Sequence, residues 1–124
     1  MERVLFTPMT QESFGDPPQF VEIPLTRLDG STAELFKTQC LACCNGQGYL
    51  VGVNLSAVDF IDSSGLGALV SCSKQLQATG NQMALVAPQP RILVLLETVA
   101  VYRFIPIYTK REHFEQGLDP DRSW

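Results

Sequence analysis

The chain has a single histidine and a single tryptophan, four cysteines, and nine lysines and arginines against thirteen aspartates and glutamates. Each shortage removes a class of function. A formal charge of −4 with no basic run leaves no electrostatic footprint for a phosphate backbone, so direct nucleic-acid binding is not expected. The lone histidine, His113, would have to serve any catalytic triad without a Gly-x-Ser-x-Gly elbow, which argues against a hydrolase and reads His113 as a surface residue. Cys40, Cys43 and Cys44 fall on one expected helix and Cys72 on another, a poor framework for disulfides. A zinc site at Cys40-x-x-Cys43-Cys44 would lack a second pair at metal spacing, so the cysteines read as small core residues and neither metal nor cofactor is expected.

Long apolar runs are missing too. No stretch approaches the ~20 residues that span a bilayer, and residues 1–10 lack a signal-peptide core, so the expectation is a cytoplasmic protein without a membrane span. A length of 124 residues suits one domain that buries roughly two-thirds of its unfolded surface without staples. We expect that domain to have its core over about 20–118, with a poorly defined segment at 1–19 and a tail at 119–124.

What the sequence does contain is concentrated between Tyr49 and Thr79. Residues 49–55 form a nearly unbroken apolar run of strand length, and Leu66, Leu69, Val70, Ser73 and Leu76 recur at helical spacing. A buried strand therefore feeds a helix through Asp62-Ser63-Ser64-Gly65. The first helical N–H groups point outward there without partners, so Ser63 or Ser64 can cap the helix, and the dipole favours an anion at that end. On the residues alone, Asp62, Ser63 and Ser64 are either plain caps or a modifiable switch.

Around this centre the pattern alternates. Runs at 4–6 and 20–25 are strand candidates separated by Gly15-Asp16-Pro17-Pro18, and Pro24 keeps the second off the centre of a sheet. Ser31-Thr32-Ala33-Glu34 has capping-box spacing and opens a helix over 32–45, with Phe36, Cys40 and Cys43 on one face, that Gly46 ends. Gly80-Asn81 stops the central helix before an apolar strand at 83–87. Pro88-x-Pro90 starts another helix with Ile92, Leu95, Leu96 and Val99 on its buried face. A strand at 104–108 lies near an edge because Pro106 lacks a donor, and a short helix over 111–116 ends at Gly117. Strands alternating with helices imply a parallel sheet covered by helices.

The ten residues Val58-Asp59-Phe60-Ile61-Asp62-Ser63-Ser64-Gly65-Leu66-Gly67 resemble the signature of STAS domains, in particular the bacterial anti-sigma factor antagonists. The likeness runs from about residue 28 to about 118. It implies an α/β fold of STAS type, a mixed sheet of four or five strands with about four helices mainly on one side. It also implies a binding module rather than an enzyme, one that sequesters an anti-sigma factor serine kinase and so regulates transcription indirectly. Ser63, the first hydroxyl after Asp62, would be the phosphoacceptor, with Ser64 as second choice, and a serine/threonine phosphatase would reverse the modification. Asp59, Asp62, Ser63, Ser64, Gly65 and Gly67 would form the partner surface.

Asp29, Thr32 and Ala33 resemble the family's opening of the first helix, but Thr26-Arg27 replace its usual glycine region, and Ala100 stands where relatives tend to carry glycine. Gly65 and Gly67 serve either partner access or tight packing. Gly65-Leu66-Gly67 lacks the lysine of a phosphate-binding loop. The alternative within the resemblance is a STAS scaffold or ligand-binding component of a transport or signalling assembly that does not switch.

Overall fold

The computed structural model describes residues 19–22, 26–42 and 50–121. Expectations placed on residues 4–6, Pro24, Cys43, Cys44, Gly46 and the last three residues lie outside these. The apolar run becomes strand β3 (Leu50–Asn54), which is buried except at Asn54. It pairs on one side with β1 (Gln19–Glu22) and on the other with β5 (Gln82–Val86), and β5 pairs in turn with β6 (Ile107–Tyr108). All these pairings are parallel.

Beyond the carboxyl ends of β1 and β3 the same two chain segments pair again, as β2 (Arg27–Leu28) with β4 (Phe60–Ile61). The first ladder ends at Glu22 with Asn54 and the second begins at Arg27 with Phe60, so one more residue separates the two ladders on the β3–β4 segment than on the other. The extra length is taken up by a turn in which the Val58 N–H donates to the Leu55 carbonyl, and the Asp59 N–H rejoins the neighbour by donating to the Thr26 carbonyl. The expected mixed sheet is therefore, over the described residues, a four-stranded and a two-stranded sheet, both parallel. The fold class is the α/β arrangement expected.

Parallel neighbours need crossovers, and helices supply them. α1 (Ala33–Ala42) leads toward β3, α2 (Ser63–Ala78) joins β4 to β5, and α3 (Pro90–Thr98) leads to β6. Phe36 and Cys40 of α1, Leu69, Cys72 and Leu76 of α2, and Ile92 and Leu96 of α3 meet Val51, Val53, Met83 and Leu85 in the main core. The alternate residues Leu50, Ala84 and Val86 face the other way and form a second cluster with Tyr108 and Phe114. Phe114 belongs to α4 (Arg111–Glu115) and meets Tyr108 edge-on, with ring centroids 5.4 Å apart. Gly52 makes room for this, since a Cβ there would stand 2.5 Å from the Phe114 ring. Strands buried on both faces are continuous in hydrophobicity, which is why the runs at 49–55 and 83–87 show no alternation.

Three local expectations are corrected. The capping box of α1 does not form: the Ser31 hydroxyl donates to Asp29 Oδ1, the Asp29 N–H donates to Thr32 Oγ1, and Glu34 pairs with Lys37 at 3.2 Å. An Asp29–Thr32 exchange has taken its place, because the tight turn out of β2 brings those two groups together first. Val99 is exposed, since α3 ends at Thr98 and Ala100 turns the chain away before another helical residue can face the core. The last strand is shorter than 104–108, because Val101–Arg103 form a 3-10 turn whose Val101 carbonyl takes the Phe104 and Ile105 N–H groups. Pro106 has no N–H to give, and its carbonyl accepts from Leu85 to begin the ladder. β6 is at the sheet edge, as Pro106 requires.

Ala100 adopts φ 57° and ψ 36°, the left-handed region that favours glycine. Ala100→Gly should therefore raise stability by up to about 1 kcal/mol in urea unfolding, and a loss of stability would contradict the strain. Burial first, then the Asp119 and Asp121 charges, push the Tyr108 phenol up to about 12. The fold favours the neutral phenol, so this contribution is intact below the ordinary value near 10 and fades as pH rises toward 12. Tyr108→Phe should unfold less steeply than the parent over that interval in pH-dependent melts.

Candidate partner-binding site

The junction lies at the carboxyl ends of the parallel strands, where open α/β sheets place their sites. Asp62 is extended (φ −112°, ψ −171°) and is the N-cap of α2, its Oδ1 accepting the Gly65 N–H at 3.0 Å. Its carbonyl takes the Leu66 N–H as the first helical bond. The cap is thus the carboxylate, not a serine. Ser63 and Ser64 become the first two residues of the helix, both exposed, and neither hydroxyl is hydrogen-bonded among the described residues. Their N–H groups belong to the helix terminus that attracts anions.

The two glycines have different reasons. A Cβ on Gly65 would stand 2.0 Å from the Leu28 carbonyl oxygen, so only glycine lets the first turn of α2 rest on β2. Gly67 has nothing within 4 Å of the same construction and is exposed. Packing explains the first, and open access remains for the second.

Around them, Asp59 is exposed on the turn into β4, and Ser64 Oγ lies beside Gly30, 3.6 Å from where a Cβ would stand. Asp62, Ser63, Ser64, Gly65 and Gly67 thus share the start of α2, with Gly65 buried and Ser63, Ser64 and Gly67 exposed, while Asp59 stands before them at the entry to β4.

Sequence reasoning missed three residues on the rim. The Arg27 guanidinium sits 4.0 Å from the centroid of the Phe60 ring and pairs with Asp29 Oδ2 at 3.1 Å. The Ser31 hydroxyl and then Arg27 hold the Asp29 carboxyl below the usual carboxylate range. Arg27 and Phe60 are cross-strand partners in the short β2–β4 ladder, and the only signal for them was a register that sequence periodicity does not supply over two residues.

The other candidates fall elsewhere. His113, half-buried on α4, approaches Asp121 at 3.7 Å. Cys40 and Cys72 are buried and reduced, and a thiol hydrogen bond from one to the other lowers the Cys72 pKa. Among the described residues no cluster of three or more His, Cys, Asp or Glu could hold a metal, and no helix is long and apolar enough to cross a membrane.

A family model described as the STAS domain matches residues 24–113. The chain belongs to the STAS domain family. Among solved structures, it resembles the crystal structure of a candidate anti-sigma factor antagonist from Thermotoga maritima (TM1081), with 27% identity, a TM-score of 0.64, and coverage of 76% of this chain and 82% of that one. The solution structure of TM1081 gives 29% identity and a TM-score of 0.63 over 78% of each chain. A sulfate transporter family protein from Wolinella succinogenes shares the fold at 14% identity, with a TM-score of 0.68 over 80% of this chain and 82% of that one. So does the murine anion transporter Slc26a9, at 16% identity and a TM-score of 0.62, over 95% of this chain but 20% of that one. The STAS fold thus occurs both in a candidate antagonist and in transporters.

The two glycines of this STAS domain are separable by mutation. Gly65→Ala should lower stability by roughly 1–3 kcal/mol or more, because the methyl meets backbone that cannot rotate aside. Gly67→Ala should hold stability or raise it by up to about 1 kcal/mol, since it adds a better helix former in open space. Paired thermal melts check both, and a destabilised Gly67→Ala would contradict the open geometry.

Proposed function

We propose that this STAS domain is an anti-sigma factor antagonist, a phosphorylation-switched module that sequesters an anti-sigma factor serine kinase and so acts on transcription without touching DNA. The observation that carries the reading is Ser63. It is an exposed hydroxyl on the first residue of α2, directly after the Asp62 cap and within the family signature. Similarity to a candidate antagonist over most of both chains supports it. Ser64 is the lesser acceptor, because its hydroxyl lies against the Gly30 loop.

The unmodified domain offers the partner a neutral hydroxyl, an open helix face at Gly67, and the Asp59 rim. Phosphorylation of Ser63 adds about −1.5 to −2 charge beside the Asp62 carboxylate. The helix N-terminus tolerates that charge, so the domain stays folded. A partner surface fitted to the neutral hydroxyl does not, since burying an unmatched dianion costs several kcal/mol. A metal-dependent serine/threonine phosphatase in the same cytoplasm would restore binding. The domain is then substrate and ligand, with no turnover of its own.

The test combines modification and binding. Incubation with ATP and a cognate anti-sigma factor kinase should add one phosphoryl mass, mapped by fragmentation to Ser63. Ser63→Asp should melt like the parent and bind that kinase at least about ten-fold more weakly, a difference of only about 1.4 kcal/mol. A phosphate mainly on Ser64 would reassign the acceptor. Unchanged affinity of a folded Ser63→Asp would leave the scaffold reading of the transport-associated STAS domains in its place.

A further inference from the structure

Deeper along α2, away from the junction, the fold joins two thiols that spacing along the chain gave no reason to pair. Cys40 belongs to α1 and Cys72 to α2, and both are fully buried in the main core. Helical spacing puts them there: Phe36 and Cys40 recur at i, i+4 on the buried face of α1, and Leu69, Cys72 and Leu76 at i, i+3 and i+7 on that of α2. Where the two helices pack the thiols meet, both free, with the Cys40 thiol donating a hydrogen bond to the Cys72 sulfur.

Two features set this pair apart from small apolar core residues. An ordinary buried thiol is held protonated by desolvation and is inert. Cys72 departs from that pattern: the hydrogen bond from Cys40 lowers its pKa, burial opposes the shift, and the Lys37 charge lowers it further. Lys37 stands one turn before Cys40, its side chain 28% exposed and steadied by Glu34. The second feature is the helix that covers the pair. Of the ten residues of α1 only Phe36 and Cys40 are buried, against six residues in α2, so α1 can lift from α2 at lower cost than the rest of the core can open. Local opening of that kind lets a small oxidant reach both sulfurs.

We infer that Cys40 and Cys72 are a modification site, a dithiol that a peroxide closes reversibly into a disulfide tying α1 to α2. The Cys72 thiolate attacks one oxygen of hydrogen peroxide, the O–O bond breaks, and the products are Cys72 sulfenic acid and, with the proton that Cys72 gave up, one water. Cys40 then attacks the Cys72 sulfur; the S–S bond forms, the S–O bond breaks, and the leaving hydroxide takes the Cys40 proton as a second water. Two thiols have lost two electrons and one peroxide has gained them. Bringing the sulfurs from hydrogen-bond separation to a bond of about 2.05 Å requires a shift on the order of 2 Å. The link closes a loop of about thirty residues in the unfolded chain, so the oxidised form is the more stable one, and a dithiol reductant reverses it by exchange. The bond does not involve Ser63, and the inference stands whether or not that residue is phosphorylated.

Hydrogen peroxide in modest excess over the full chain tests it, in the parent and in a Cys43→Ala, Cys44→Ala double variant. The oxidised double variant should stay monomeric, lose the mass of two hydrogens, and give a chymotryptic peptide pair, cut after Tyr49 and Phe60, that is joined through Cys40 and Cys72. Its melting temperature should rise by at least about 5 °C and return on reduction with dithiothreitol. Adding Cys40→Ala or Cys72→Ala to that background should abolish the mass loss. In the parent, fragmentation should place the bond on the same two sulfurs, and if the double variant does not fold, the parent's map and melt decide alone. Thiols that stay reduced at a peroxide dose that oxidises the urea-unfolded chain overturn the inference. So does a parent bond to Cys43 or Cys44, oxidation that yields only sulfinic acid or dimers between chains, or a Cys40–Cys72 bond that lowers the melting temperature.

Discussion

The placement of the junction at Asp62–Gly65 depends on the contact between Gly65 and the Leu28 carbonyl. That oxygen accepts the Asp62 N–H at 3.3 Å and lies where any side chain on Gly65 would have to be. The first turn of α2 is therefore seated on β2, and Asp62 closes it from within by taking the Gly65 N–H. With positions 62 and 65 both fixed, the backbone of Ser63 and Ser64 is fixed with them, and both side chains leave it on the exposed side of the helix start.

The same seating separates modification from folding. Asp62 keeps its negative charge engaged with backbone, so a phosphate on Ser63 would meet a helix terminus of favourable sign and a carboxylate of unfavourable sign at once. Neither contact lies in the core, where Leu28, Ile61, Leu69 and Val58 pack. Arg27, the cation nearest in the β2–β4 ladder, is held over Phe60 and to Asp29. A charge added at Ser63 would thus change what the surface presents while leaving its support intact, which is what a reversible binding switch needs.

Much of this was legible in the sequence because it depended on local chemistry. The central strand, the helix after it, the stop at Gly80-Asn81 and the proline start of α3 were read from short patterns, and the ten-residue signature located the junction. What was not legible needed contacts distant in sequence. The role of Gly65 rests on Leu28, thirty-seven positions earlier, and a motif shared with Gly67 gave no means of telling the two glycines apart. The Arg27–Phe60 stack required the register of a two-residue ladder. The capping box failed for a related reason: Asp29 reached Thr32 first, an outcome set by the turn from β2 and not by the spacing of Ser31 and Glu34.

Ala100 shows how packing overrides local preference. A left-handed alanine is unfavourable in isolation, yet residues on both sides leave the backbone no cheaper route. Leu96 and Val101 are both buried in the main core, so the chain must reverse within four residues between them. The Ala100 N–H donates to the Glu97 carbonyl, and its own carbonyl accepts the Arg103 N–H, so both of its polar groups are satisfied in the strained conformation. Relaxing the dihedral would break those bonds and lift Val101 and Ile105 from the core, which costs more than the strain itself. The reversal also brings Arg103 and Phe104 alongside Val70 and Lys74 of α2, with Phe104 still 60% exposed. The flank of α2 is thus shaped by how the fold returns to its edge strand, and the core that receives Val101 and Ile105 is the one on which Leu28 and Ile61 support the junction at Asp62.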